Sequence, residues 1–422
     1  MKINTFLKLS ILLLFLLLFS VFAINNGKIR SLPENYLPYK IKTIIKILTK
    51  DKNYTKRFYN DYNVKFLPQT QFESLDFQKK ELNFLNKSEE NYFQNDRRKS
   101  IDFETFFIEI LNYEEILITD SKGNFYVIKD YEDSKDINLK NIKEIKSNLK
   151  INKILDTFFY KGNLFISYIK LEDSCKTFNI SYANFNTNKL VFKSFFENNK
   201  CKLMIQAGRM QYLKHKDKDG LIFSIANVLS DRPNNNPQDE KSFFGKMIFK
   251  SFDETIKLIY SKGHRNPQGL FVDGDLILST EHGPRGGDEI NKIKFNKNYG
   301  WPIASYGQKY KKTNEKNPYM MSHVEQGFEE PIYVFIPSIG ISEIIKIPND
   351  FLDSWKDNFI VTSLYKGSIY RIKFDDKYNK LLFAEEIFIG QRVRDVKYHN
   401  KKIFLALESQ GDLGILNKAN KN

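Results

Sequence analysis

The stretch GDLILSTEHGPRGGDEINKIKF, Gly274 to Phe295, is an apolar strand, a turn crowded with Gly and Pro, and a second strand of alternating character. Turn formers on both sides of a short apolar run are the signature of paired strands. The same unit returns along the chain. It reads EEILITDSKGNFYVIK from Glu114, KGNLFISYIKLEDSCKTFNISYANF from Lys161, and DGLIFSIANV from Asp219 with KMIFKSF from Lys246. It recurs as KDNFIVTSLYKGSIYRIKF from Lys356 and NKKIFLALESQGDLGILNK from Asn400. Strand pairs returning every few tens of residues mark radial repetition, because a small sheet cannot bury both faces alone and stacks on its neighbours. The sequence therefore predicts an all-β fold, a six-bladed β-propeller over residues 105–422. A two-sheet sandwich also gives alternating strands, but it leaves the long turn-rich inserts at similar points of several units without a reason.

Composition agrees. Aromatic residues make up 15% of the 422, with 37 Phe and 23 Tyr, and many sit in short alternating runs that favour strands. The formal charge of +15 raises nucleic acid as a partner. The 66 basic residues are dispersed among 51 acidic ones, however, with no basic stripe interleaved with stacking aromatics. An anionic small ligand is expected instead, and no nucleic acid.

At the amino terminus, Lys2 and Lys8 precede an uncharged run from Leu9 to Ile24, the pattern of an export signal. The run is 16 residues long, against the roughly 20 that span a bilayer. Residues 1–24 are thus a cleaved signal peptide or, through residues 9–24, a retained membrane anchor. Either predicts an exported protein, periplasmic and soluble or tethered to the inner membrane. Residues 25–104 are expected to form a partly helical, membrane-proximal extension, or a flexible stalk. Its helical stripe carries Ile41, Ile44, Ile45, Ile47 and Leu48, and Phe77 to Ser88 is expected to be a second short helix. Cys175 and Cys201 are the two cysteines, expected to form a disulfide in an oxidising compartment, with two unpaired buried thiols as the alternative.

Polar residues crowd the turns around Gly274–Phe295: Gly263-His264-Arg265-Asn266-Pro267-Gln268-Gly269 before it, and Asn298-Tyr299-Gly300-Trp301-Pro302 with Ser305-Tyr306-Gly307 after it. Singly, Asn266-Pro267 and Gly286-Gly287 are ordinary turn formers, Asp288 a loop cap and Trp301 a core wedge. In this order, together with Glu281 to Asn291, they resemble the soluble quinoprotein glucose/sorbosone dehydrogenase family, the aldose sugar dehydrogenases. Weaker similarity continues through Pro331–Ser342, Thr362–Lys373 and Arg392–Val396, and it fades before Gly208. The resemblance implies a six-bladed propeller that binds pyrroloquinoline quinone (PQQ) with Ca²⁺ over its mouth. It implies oxidation of a sugar hydroxyl by hydride transfer to the quinone, with an electron acceptor that stays unassigned. By the same resemblance Arg265 and Asn266 hold the cofactor, Arg392 and Arg394 face its carboxylates, and the carbonyls of Gly283 and Pro284 ligate calcium. These residue types suit that chemistry. Guanidinium groups meet carboxylates in planar two-point bonds, and Ca²⁺ takes hard oxygen donors.

Three positions depart from the family pattern. The family's catalytic base is a His before a Gly-Arg pair, and the matching run here is Ile205-Gln206-Ala207-Gly208-Arg209, so Ile205 replaces it. The remaining candidates for a base are His215 and His282. Tyr365 stands where a cofactor-facing Lys is implied, with Lys366 one place later as the candidate. Ile341-Ser342-Glu343 replaces a Pro-Ser-Gly run, and residues 152–156 offer no match for an early pocket Gln. Loss of the base leaves a second expectation, a catalytically degenerate propeller acting as an envelope binding module. A calcium-dependent hydrolase is a third, without the inward acidic cluster that chemistry needs.

Overall fold

The computed structural model describes residues 75–82, 84–85, 105–129, 131, 142–202, 204–228, 236–309, 319 and 322–419. These form six sheets arranged as the blades of a propeller, each with four antiparallel strands, and the first and third carry a short fifth strand in parallel, Lys189–Leu190 and Lys297–Asn298. From the centre outward, the first blade is Phe106–Ile110, Glu115–Asp120, Phe125–Lys129 and Ile142–Ser147, and the second is Lys153–Tyr160, Asn163–Glu172, Cys175–Asn184 and Lys193–Asn198. The third is Ala207–His215, Lys218–Ile225, Lys246–Ser251 and Lys257–Lys262, and the fourth is Pro267–Asp273, Leu276–Glu281, Asp288–Lys292 and Tyr333–Phe335. The fifth is Ile341–Lys346, Phe359–Ser363, Ser368–Phe374 and Leu381–Phe388. Each innermost strand touches those of both neighbouring blades, and the first touches the sixth, so the ring is closed.

The sixth blade takes Val393–His399, Lys402–Leu407 and Asp412–Lys418 from the end of the chain and its outer strand, Leu75–Glu81, from the beginning. This corrects two expectations. Phe77 to Ser88 does not open as a helix, because Leu75–Glu81 pairs antiparallel with Asp412–Lys418 along its whole length. Residues 75–81 accordingly belong to a propeller sheet and not to a separate extension. The physical reason is edge coverage: without this strand the row of amides and carbonyls on Asp412–Lys418 would be unpaired. The leader at 1–24 and the helical stripe around Ile41 to Leu48 lie outside the described residues.

Apolar clusters sit between blades, as stacked small sheets require. Phe106 and Ile118 of the first blade meet Phe404 and Leu413 of the sixth, and Phe178 of the second meets Phe223 of the third. All six side chains are fully buried, each contributing about 1.5–3 kcal/mol relative to exposure. In the second blade Cys175 and Cys201 are joined in a disulfide across a separation of 26 residues. A loop of that size contributes about 3–4 kcal/mol in the chain-entropy model.

One irregularity repeats and positions the site. The innermost strands of blades two to six each break register near their start, at Ile154/Asp156, Ala207/Met210, Pro267/Gly269, Ile341/Ile344 and Val393/Asp395. A bulge adds a residue, increases the twist and re-aims a side chain. Here the bulges turn Asp156, Arg209, Gln268, Glu343, Arg394 and Asp395 toward one another around the central channel. Gly208 occupies the third-blade bulge at φ +102°, where an added Cβ would lie 2.7 Å from Leu155 Cβ and Ser167 Oγ. A side chain does not fit there.

Candidate functional site

The starts of the innermost strands and the turns between second and third strands share one end of the propeller, and the sequence-predicted site residues other than His215 lie there. Glu281 ends the second strand of the fourth blade and braces this end. Its carboxylate takes His264 Nδ1 at 2.6 Å, the Arg265 amide at 3.2 Å and Asn291 Nδ2 at 3.3 Å. His264 is fully buried, meets Ser261 Oγ at 2.8 Å and stacks on Tyr299, so it is structural. Asp288 fixes the turn that follows. Its Oδ1 accepts from the Gly283 amide at 3.1 Å, and its Oδ2 accepts from the amides of Ile339, Gly340 and Ile341 at 2.7–3.0 Å. A loop cap on one oxygen is therefore a tie to the fifth blade on the other. Among the described residues, the carbonyls of Gly283 and Pro284 accept no hydrogen bond.

Arg265 lies on this turn. Its Nη1 donates to the His282 carbonyl at 2.7 Å, its guanidinium lies 5.4 Å from the Trp301 ring centroid, and its buried Nε has no partner. No carboxylate pairs with it among the described residues. Trp301 is the wedge expected of it, 3% exposed and donating Nε1–H to the Asn227 carbonyl, while also forming the floor under Arg265.

Arg392 and Arg394 come from the sixth blade and share one acid. Arg392 Nε lies 2.7 Å from Glu408 Oε1, Arg394 Nε lies 2.8 Å from Glu408 Oε2, and Thr105 Oγ1 donates to the same carboxylate. Glu408 has no exposed surface, and the two guanidiniums overcome its burial and hold its carboxyl at about 2. Arg394 Nη1 then donates to Gln268 Oε1 at 3.0 Å, Gln268 Nε2 to Asn266 Oδ1 at 2.8 Å, and Asn266 Nδ2 to Gln206 Oε1 at 3.1 Å. A continuous rim of hydrogen bonds thus runs from the third blade through the fourth and sixth to the first. Lys366 lies on the turn after Ser363, next to the Leu364 carbonyl that Arg392 Nη1 meets at 3.5 Å, and its ammonium sits over the Tyr365 ring.

Below the rim, Arg209 is the hub of the channel. Its Nη1 is 2.8 Å from Asp156, 2.9 Å from Glu343 and 3.5 Å from Asp395, its Nε donates to the Gln268 carbonyl, and its Nη2 donates to the Arg394 carbonyl. Four buried carboxylates, these three and Glu109, share two cations in the channel, Arg209 and Lys397. Burial pushes Asp156 up to about 8 and raises Glu343 as well, against the pull of Arg209. Glu343, standing where the family pattern implies glycine, is consequently a channel brace.

The two candidate bases separate. His215 closes the innermost strand of the third blade, eight residues beyond Ala207, about 26 Å along the strand from the rim. It packs among Phe249, Tyr260 and Phe295, which removes it from the site. His282 lies between the arginines. Its ring bonds to the Ile341 backbone, its buried Nε2 has no partner, and burial, reinforced by Arg265 and Arg394, lowers it to about 4. Ile205 is 4% exposed inside the apolar cluster of the second and third blades, and its neighbour Gln206 carries the polar contact to the rim.

Several residues at the site were missed from the sequence: Glu408, Gln268, Gln206 and the partners of Arg209. One signal was available for Glu408. It follows the second strand of the sixth blade as Glu281 ends that of the fourth and Asp120 that of the first, so superposing the units places an acid at each.

A family model described as glucose/sorbosone dehydrogenase matches residues 104–417. Aldose sugar dehydrogenase YliI of Escherichia coli is 32% identical over 161 residues, covering 37% of this chain and 42% of that protein. Quinoprotein glucose dehydrogenase B of Acinetobacter calcoaceticus is 29% identical over 204 residues, covering 34% and 43%. The chain thus spans about two fifths of the length of the curated relatives it matches. The apo crystal structure of the soluble aldose sugar dehydrogenase of Escherichia coli superposes with a TM-score of 0.63 at 19% identity, over 82% of this chain and all of that one. The PQQ-bound aldose sugar dehydrogenase of Streptomyces coelicolor gives 0.56 at 16% identity, over 82% and 99%. At these identities the two structures support the propeller fold.

Proposed function

This chain belongs to the glucose/sorbosone dehydrogenase family, and on that premise we propose that it is an exported, PQQ- and Ca²⁺-dependent oxidoreductase acting on a sugar hydroxyl. One observation carries the proposal. Arg392 and Arg394 share Glu408 at the rim, and Arg265 there has no ion-pair partner among the described residues, beside two main-chain carbonyls that accept no hydrogen bond among them. A flat tricarboxylate and a hard cation fit that donor set, and the orphaned Arg265 Nε and His282 Nε2 fit a bound group at the same place.

In this assignment Arg265, Arg392 and Arg394 bind carboxylates, Asn266 offers its amide, and Lys366 stands at the sixth-blade side of the mouth. Gly283 and Pro284 present their carbonyls to calcium, in a turn that Asp288 keeps open. The quinone, when bound, supplies the hydride acceptor. Trp301 and the fourth-blade turn exclude water from one side of Arg265. His282 is the imidazole within the rim with an uncommitted nitrogen, and it takes the proton of the sugar hydroxyl at Nε2.

Reconstitution of the full chain with PQQ and Ca²⁺ should give aldose-dependent reduction of an artificial electron acceptor dye. His282→Ala should lower that rate by about a hundredfold while the protein still takes up PQQ. Uptake without turnover in the native protein would favour the degenerate module instead, for which the burial of Ile205 in apolar packing is the specific support.

A further inference from the structure

Lys246 opens the third strand of the third blade, as Asp288 opens that of the fourth. Its side chain has no exposed surface. The ammonium donates to three main-chain carbonyls, Asn236 at 2.6 Å, Pro237 at 3.0 Å and Phe244 at 3.4 Å, and no carboxylate lies within ion-pair distance of it among the described residues. Glu240, the acid whose charge it feels most strongly, is held by Lys262 instead. An ammonium out of water needs an acceptor for each of its three protons, and burial here lowers its pKa to about 8. The lysine therefore gathers the backbone of one turn, residues 236–245, around a single point. Asp288 does the converse in the fourth blade, gathering three amides around one oxygen.

Two routes lead from this turn to the mouth. On the first, the Pro237 carbonyl that takes Lys246 also accepts the Gly263 amide at 3.1 Å, and the Gly245 carbonyl accepts that of His264 at 3.1 Å, so the backbone entering Arg265 is laid along the turn. The approach is close: Gly245 sits at φ +72°, and an added Cβ would lie 2.7 Å from the His264 carbonyl oxygen. On the second, the Gln238 and Asn298 amides exchange hydrogen bonds at 2.7 and 3.2 Å, and Gln238 Nε2 donates to the Trp301 carbonyl at 2.7 Å. Trp301 is the floor under Arg265. We propose that Lys246 is a positioning residue of the cofactor site: its ammonium sets the turn 236–245, and the turn fixes the Trp301 ring and the Arg265 backbone. The inference rests on the proposed function for the cofactor, and its first test does not need the cofactor.

The chain has two tryptophans, Trp301 and Trp355, and Trp355 packs in the apolar cluster of the fifth and sixth blades. The full chain labelled with 5-fluorotryptophan therefore gives two fluorine NMR signals, which Trp355→Phe assigns. Lys246→Met removes the three donors and keeps an unbranched side chain. It should displace or broaden the Trp301 signal, leave the Trp355 signal in place, and weaken PQQ uptake in the presence of Ca²⁺ about tenfold or more. Displacement of both signals would show general loosening of the propeller and overturn the assignment, as would a Trp301 signal that stays where it is. A displaced Trp301 signal with native PQQ affinity would overturn it too, since the turn would then not bear on the site. If Lys246→Met does not fold, Gln238→Ala cuts the second route alone, and the same outcomes decide. If the native chain takes up no PQQ, the proposed function fails at that step. The fluorine signals of the cofactor-free chain then decide by themselves whether Lys246 sets the surroundings of Trp301.

Discussion

Arg209→Ala is expected to destabilise the propeller by about 5 kcal/mol, enough to leave much of the protein unfolded at ordinary temperature. The side chain is buried at 3% exposure and binds carboxylates from the second, fifth and sixth blades and carbonyls from the fourth and sixth. Its removal leaves Asp156, Glu343 and Asp395, with Glu109 beside them, to the one remaining channel cation, Lys397. Burial already favours the protonated forms of Asp156 and Glu343, and without the guanidinium it would do so more strongly. The folded state of the variant then binds more protons than its unfolded state between the unfolded and folded carboxyl values. Its stability should consequently rise as pH falls from neutral toward about 5. Urea unfolding of native and Arg209→Ala protein at pH 7 and pH 5 checks both points. A gap below about 1 kcal/mol, or one that widens in acid, would show that the hub does not hold the blades together.

Glu408→Gln should cost about 3 kcal/mol at neutral pH, by leaving Arg392 and Arg394 facing one neutral amide. The carboxyl falls from its ordinary 4.5 to about 2 in the fold because of those arginines. A depressed acid contributes stability above its unfolded value and loses it as pH drops through the folded one. The window of loss is therefore about pH 4.5 to 2, and the shift corresponds to about 3 kcal/mol. Native protein should show this acid limb in thermal melts, and Glu408→Gln should lack that component. An unchanged limb in the variant would mean that other carboxyls dominate and that Glu408 does not organise the two arginines.

The propeller was legible because its unit repeats: turn chemistry and period-two strands recur whatever the contact order. The closing strand was not. Leu75–Glu81 pairs with residues at the other end of the chain, and no local pattern of LDFQKKE announces that partner. Arg265, Arg392 and Arg394 stand out in the sequence by the motifs around them, whereas Gln268 depends on a bulge that re-aims its side chain and Glu408 on its place just after a second strand. His215 and His282 were equivalent as candidates on paper. Strand direction separates them, since one closes a strand at the far end and the other follows a strand at the near end. Ile205 shows the reverse limit: the sequence identifies the substitution, and the packing shows that its side chain serves the core.

The convergence of three arginines on one polycarboxylate is tested most directly by absorbance titration of PQQ into the full chain with Ca²⁺ present, comparing native protein with Arg265→Met. Arg265 has no acid partner among the described residues and an orphaned Nε, so its loss should spare the fold while weakening PQQ binding about tenfold or more. The native protein should saturate at one PQQ per chain. Absence of saturable binding in the native protein, or equal affinity in Arg265→Met, would contradict the cofactor site.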